Sequence, residues 1–296
     1  MQLPLCVQRR LNRHKPALKL YWWRYRYPEK LNFGDEITPI IIKRLWGLEC
    51  EWADVEDCEI LGAGSIIHIL QDVKTKNKIK VWGSGFIKEG SENQNNMLDF
   101  FAVRGPLTAE RVQWRRPKTF GDPGILANRV FMATATKSYR VGIVTHYIDV
   151  NEELLKKIAD DPDYFIINPL QPPDKVAMDV TSCEYILSSS LHGLIFADSF
   201  GVPNNWMPLS DNVAGGPYKF EDYYQSTGRK LVRKDAATIL GNNDLIDQAI
   251  KDYQAISNLK QMQRNLIRAF PYKIDFRIKS AIAFVLSPSK LKKLFR

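Results

Sequence analysis

Among 296 residues the chain has only four cysteines, with no CxxC pair and no Cys/His ligand spacing. No structural zinc site is expected, and Cys6, Cys50, Cys58 and Cys183 read as reduced thiols of a cytoplasmic protein. Long apolar runs are also missing. The longest late run, Ala281–Leu286, has six residues, whereas a bilayer span needs ~20. Met1–Lys15 is basic with no apolar stretch behind it, so no secretory signal is expected. There is neither a GxGxxG fingerprint nor a Walker loop, which argues against nicotinamide enzymes and P-loop ATPases. Internal repeats and low-complexity tracts are absent as well.

What is present is an ordinary core composition, 45% hydrophobic, with an uneven charge distribution. Residues 1–30 carry +7 and residues 260–296 carry +9; with a net charge of +9, residues 31–259 must carry −7. A nucleic-acid enzyme carries its basic stripe on the folded body, so no nucleic-acid partner is expected. Basic ends suit peripheral contact with an anionic membrane face, at ~1 kcal/mol per Lys or Arg near the surface, and they equally suit solvated tails.

Along the chain a short strand, a loop of Gly, Ser or Asp, and a helix follow one another repeatedly. Lys19–Tyr25 reads as the first strand, with Thr38-Pro39 as a helix start and Gly47 as its stop. Ile60, Val81, Phe100 and Thr119 sit in further short strands, each running into a glycine-bearing loop. Val141–Val144, Tyr164–Ile167 and Tyr185–Leu187 repeat the theme, and helices are expected over Asp174–Thr181, Leu191–Phe200 and Asn243–Phe270. Alternation of this kind predicts α/β architecture with parallel sheets and right-handed crossovers. The expected division is a basic extension over 1–18, an α/β domain over 19–135, a second over 136–270 and a basic amphipathic tail over 271–296. Ligands in such sheets lie beyond the carboxyl ends of the strands, where all these polar loops fall.

The densest chemistry is Ser188-Ser189-Ser190-Leu191-His192-Gly193. A strand delivers three hydroxyls and opens a helix, whose free N–H groups and positive dipole end suit an anion. His192 in that first turn can reach the same anion. Arg104 at a strand end offers a bidentate fork to a carboxylate or phosphate. Asn32-Phe33-Gly34-Asp35 offers an amide, a permissive glycine and a carboxylate that can take a sugar hydroxyl proton or serve only as a cap. Gly64-Ser65 and Gly83-Ser84 let a ligand approach the backbone. His146-Tyr147 ends the first strand of the second half, and Gly215–Tyr224 reads as an aromatic loop with Lys219 as its cation and Arg229 beyond it. His14 and His68 read as bystanders.

In this order, Asn32-Phe33-Gly34-Asp35, Gly62-Ala63-Gly64-Ser65, Val103–Thr108, Gly121-Asp122-Pro123-Gly124 and Ser188–Gly193 resemble the polysaccharide pyruvyl transferase family over about Lys19–Gly228. The resemblance implies two Rossmann-like domains facing a central cleft, as in the glycosyltransferase-B architecture. It implies phosphoenolpyruvate as donor, no metal or other cofactor, and a ketal bridging two hydroxyls of one sugar, the acceptor being a lipid-linked oligosaccharide. His192 falls on the family's histidine and Arg104 on its upstream donor-binding arginine. Some members carry Arg directly before Leu-His; here Ser190 stands there, which leaves Lys219 and Arg229 as substitutes for the carboxylate. Two rival expectations are a nucleotide-sugar glycosyltransferase and a non-catalytic membrane-surface assembly protein.

Overall fold

The computed structural model describes residues 5–12, 15–24, 31–71, 73, 75, 77–91, 95–112, 119–133, 136–150 and 152–273. Tyr25, His14, Lys118, part of the expected 132–138 boundary and the tail from 274 onward lie outside the described residues. The first half runs α1 (Leu5–Asn12), β1 (Leu18–Tyr21), α2 (Ile37–Trp46), β2 (Cys50–Trp52), β3 (Ile60–Leu61), β4 (Ile79–Trp82), β5 (Leu98–Ala102), α3 (Pro106–Arg111) and α4 (Ala127–Val130). The second runs β6 (Tyr139–Val144), α5 (Glu153–Lys156), β7 (Tyr164–Ile167), α6 (Pro173–Thr181), β8 (Cys183–Ser188), α7 (Leu191–Phe200), β9 (Asn204–Trp206), α8 (Tyr218–Ser226), α9 (Ala236–Ile239), α10 (Asn243–Asp252) and α11 (Leu259–Ala269).

Two sheets result, ordered β2-β1-β3-β4-β5 and β7-β6-β8-β9, and every strand pair is parallel. Val141, Ile143 and Val144 of β6 and Tyr185–Ser188 of β8 are all buried, the near-continuous apolar run of a sheet covered on both faces. Parallel strands need crossovers, so the loops leaving each sheet gather at one edge.

One hydrophobic cluster joins the halves, taking in Leu20, Phe33, Trp46 and Trp82 from the first and Val144, Ile186 and Phe196 from the second. Helix α7 is its centre, with nine of ten residues buried. Helix α11 crosses back to the first sheet. The Trp82 indole donates to Leu266 O at 2.9 Å, and Phe270 stacks on Trp46 at 3.9 Å between ring centroids. Residues 259–270, placed with the second domain by sequence, therefore pack on the first half.

Several boundaries differ from expectation. Helix α2 begins at Ile37 rather than with a Thr38 cap, because Thr38 Oγ1 accepts the Ala63 N–H at 2.8 Å from inside the helix. Gly47 does end it, at φ 69°. The expected aromatic loop becomes helix α8 from Tyr218, pinned by buried Asp222. The long helix over Asn243–Phe270 is two helices with a break at Tyr253–Asn258, where the Tyr253 hydroxyl turns inward to Asp198 Oδ1 at 2.8 Å. Among the described residues no helix is long and apolar enough to cross a membrane.

Candidate functional site

A cavity of about 260 Å³ opens where loops of the two sheets meet. Asn32, Asp35, Gly64 and Ser65 line it from the first half, and His146, Tyr147, Ser190, Leu191, His192 and Lys219 from the second. Ten residues singled out by sequence thus share one cavity. Trp23, Ile66, Ile87 and Ala214, which sequence reasoning missed, complete it together with His68. His68, expected to be a bystander, belongs to the cavity because a 3-10 turn over Ile67–Leu70 carries it there.

Strand β8 delivers the serines into unequal environments. Ser188 is spent on the turn itself: its Oγ lies 2.7 Å from Val144 O and 2.8 Å from Ser190 O, and accepts the Ser190 N–H at 3.0 Å. Ser189 Oγ accepts the His146 N–H at 2.8 Å. Ser190 is the N-cap residue of α7 but makes no side-chain cap bond, so the helix's first-turn N–H groups keep their capacity for an anion. Gly193 is not among the residues lining this cavity; a Cβ there would stand 2.3 Å from Ser188 Oγ.

His192 lies nearly buried in that first turn, its ring held between two carboxylate-bearing loops. Its Nε2 is 3.6 Å from Asp122 Oδ2, within ion-pair reach but too long for a hydrogen bond, and has no other partner. Asp122 itself is fixed: Oδ1 accepts the Gly124 N–H at 2.8 Å and Oδ2 the Gly64 N–H at 3.3 Å. Burial pushes its carboxyl up, but His192 and the two N–H donors outweigh that and bring it below the usual range. On the other side Gly34 packs flat on the ring, where a Cβ would meet His192 Nδ1 at 2.1 Å. Asn32 Oδ1 shapes this turn by accepting the Gly34 N–H at 3.2 Å.

Three titratable groups around the ring are displaced from their ordinary values. Asp35 is pushed up to about 7, first by burial and then by Glu36 and Asp122, against the pull of His192 and Lys219. Part of its surface stays open to the cavity. Lys219 is lowered to about 8 by burial and by Arg104, with Asp35 and Asp149 opposing. It makes no hydrogen bond or ion pair with the described residues, and its ammonium stands 5.4 Å from the Phe220 ring centroid. His146 falls to about 3 through burial, Lys219 and His192, so it is neutral at pH 7. Its Nδ1 accepts the Ile148 N–H at 3.3 Å, which places the ring proton on Nε2.

Other expected residues serve the scaffold. Arg104 is wholly buried. Its Nε pairs with Asp222 Oδ2 at 2.9 Å, and its terminal nitrogens donate to Ser65 Oγ and Phe86 O. It stands one residue behind the cavity, reaching it through Ser65, rather than as an open clamp. Gly83, at φ +93°, packs against Pro123, and buried Ser84 donates to Gly64 O at 2.9 Å; neither lines the cavity. Arg229 is not a spare cation. Both its terminal nitrogens bond Asp198, which also accepts from the hydroxyls of Tyr223 and Tyr253.

A buried lysine without an ion-pair partner among the described residues, an uncapped helix start, a carboxyl near neutrality and a histidine backed by a carboxylate suit a small anionic substrate and proton transfer.

Comparison with known proteins adds independent findings. Residues 2–211 match the family model described as polysaccharide pyruvyl transferase. The succinoglycan biosynthesis protein ExoV of Rhizobium meliloti (strain 1021) is 27% identical over 218 residues, covering 71% of this chain and 65% of that protein. The uncharacterized protein L143 of Acanthamoeba polyphaga mimivirus is 34% identical over 176 residues, covering 54% of this chain and 60% of its own. The chain thus spans just under two thirds of each relative. A crystal structure of an uncharacterized Klebsiella pneumoniae protein shares 13% identity at a TM-score of 0.46, covering 77% of this chain and 96% of that one.

Proposed function

This chain belongs to the polysaccharide pyruvyl transferase family, and on that premise we propose that it moves the pyruvyl unit of phosphoenolpyruvate onto a sugar of an exopolysaccharide precursor, closing a cyclic ketal. The observation that carries this reading is the convergence of His192, Lys219, Asp35 and the α7 N-terminus on one cavity. The donor carries a carboxylate and a phosphate on the same enol carbon. The helix start and Lys219 suit the two anions, and the uncapped Ser190 turn suits the phosphate.

Chemistry then needs a proton at the donor's methylene carbon, which makes the neighbouring carbon electrophilic. A sugar hydroxyl adds there and gives up its proton. A second hydroxyl of the same sugar displaces phosphate, which leaves with the C–O bonding pair. One proton is delivered to carbon and two are released from oxygen. His192 is assigned the delivery and Asp35, poised near pH 7, the removal. Arg104 acts through Ser65, holding the cavity's floor and lowering the proton affinity of Lys219.

In this reading residues 19–135 and 136–258 form two Rossmann-like lobes in the glycosyltransferase-B manner, with α11 returned to the first and the cavity as their cleft. The enzyme works without metal in the cytoplasm, its basic ends resting against the inner membrane face, where a lipid-linked acceptor is found. The test is to incubate the purified chain with phosphoenolpyruvate and a lipid-linked oligosaccharide fraction, following phosphate release and pyruvylated sugar by mass spectrometry. Nucleotide sugars run in parallel. Matched release of phosphate and ketal is expected; sugar transfer from a nucleotide sugar, or no phosphate at all, would sink the assignment.

A further inference from the structure

Lys219 is 6% exposed, and among the described residues no other lysine is buried. Lysine is almost never buried unless paired, yet this one has neither an ion pair nor a hydrogen bond with the described residues. Its amine is not sealed in. The His192 Nε2 atom beside it is wholly enclosed and unpartnered, whereas Lys219 Nζ keeps surface in the cavity that the residue lines. Lys137 makes the contrast: it lies at the surface, and its Nζ donates to Cys183 O.

The surroundings fit an amine that forms a bond as well as one that holds a charge. Burial and Arg104 bring Lys219 down to about 8, with Asp35 and Asp149 opposing. Roughly one amine in ten is then unprotonated at pH 7, on the order of 100 times the share in a solvated lysine. The same cavity holds the uncapped first turn of α7, whose N–H groups take a carboxylate. It also holds Asp35, whose carboxyl near 7 can give and recover a proton.

We propose that Lys219 captures a short 2-oxo acid such as pyruvate as an imine, with the acid's carboxylate on the N–H groups of the α7 start. The neutral amine bonds to the keto carbon, and the carbonyl π pair moves onto oxygen. That oxygen takes a proton from the Asp35 carboxyl, which recovers one from the nitrogen. Asp35 then protonates the new hydroxyl, which leaves as water with the C–O pair while the nitrogen lone pair closes the C=N bond. The products are a protonated imine, water and the Asp35 carboxylate; nothing is oxidised or reduced. A cavity of about 260 Å³ is ample for a three-carbon acid. The capture itself does not require the transfer reaction. One consequence does rest on that reading: hydrolysis of the donor gives phosphate and pyruvate, so a turnover that fails to reach a sugar leaves in the cavity the acid that blocks it.

The test incubates the full wild-type chain with pyruvate and sodium cyanoborohydride at pH 7 and maps its peptides by mass spectrometry. Reduction fixes the imine as a gain of one pyruvic acid less one oxygen atom. That gain is expected on Lys219 at a level about 10-fold or more above Lys137 or any other lysine, because the unprotonated share differs by more than that. Acetone brings the carbonyl without the carboxylate and should label Lys219 about 10-fold less or weaker still, since a charge-assisted hydrogen bond is of that order. Labelling at Lys219 no greater than at Lys137, or equal labelling by acetone, overturns the proposal. The readout is taken on the wild-type chain, so no variant has to fold. Phosphoenolpyruvate added first should protect Lys219. Labelling that persists at saturating phosphoenolpyruvate would strike the donor's placement in this cavity and leave the capture of the 2-oxo acid standing.

Discussion

Asp122 Oδ2 lies 3.6 Å behind His192 Nε2, and the carboxylate is immobilised by the Gly64 and Gly124 amides. A fixed anion behind Nε2 favours a proton on that nitrogen, while Gly34 packs against Nδ1 and fixes the ring's other edge. His192→Ala is expected to lower kcat about 100-fold or more. Asp122→Asn should fall between this variant and wild type, and the double variant should be no worse than His192→Ala alone, because the two act as one unit. Nitrogen-15 NMR of the imidazole supplies a second readout: the Nε2-protonated tautomer should dominate in the wild type and lose its dominance in Asp122→Asn.

Gly34→Ala tests the opposite face of the same ring. The added Cβ would stand 2.1 Å from His192 Nδ1, so the imidazole must rotate or the loop must lift. Overpacking of this kind costs ~1–3 kcal/mol. Turnover is expected to drop nearly as far as in His192→Ala while the chain remains folded by circular dichroism. Unaltered kcat in Gly34→Ala would show that the ring's position does not matter.

Asp35 and Lys219 set the pH range. Asp35 titrates near 7 and Lys219 near 8, so kcat/KM should rise as Asp35 ionises and fall as Lys219 loses its charge, a narrow bell. Asp35→Asn should abolish the acid limb and Lys219→Met the alkaline one. Stability follows the same carboxyl. A folded-state value raised from 3.8 means that ionising Asp35 opposes folding, with no cost below about pH 4 and a growing one up to about pH 7. The melting temperature of Asp35→Asn should therefore match wild type at pH 4 and exceed it at pH 8.

Arg104 and Asp222 make a fully buried pair at 2.9 Å that ties β5 to α8. Removing one partner strands the other charge. Arg104→Ala is expected to cost ~3–5 kcal/mol in urea unfolding, and Arg104→Lys to recover only part, since a lysine cannot bond Asp222, Ser65 and Phe86 together. A stable variant with only a raised donor KM would return Arg104 to the role of an open anion clamp.

The alternation of strands and helices, and the polar loops at strand ends, were legible because both depend on local periodicity. Helix α7 from Leu191 to Phe200 and its serine-rich approach follow from ten or so neighbouring residues. Lys219 was found as a cation among aromatics, but its helix was not, because Asp222 earns its place there only by meeting Arg104 and Thr108, more than a hundred residues earlier. Asp122 lay in a Gly-Asp-Pro-Gly turn whose sequence marks a bend and gives no hint of a histidine seventy positions later.

By itself the sequence determined the parallel α/β plan, the family, and the strand-to-helix turn that bears His192, since backbone propensity and side-chain alternation act over a few residues. The fold alone decided which charges are free. Arg104 and Arg229 look as available as Lys219 in the sequence, yet Asp222 and Asp198 claim both. A buried charge must be paired or neutral, and its partner is chosen by packing across the whole chain.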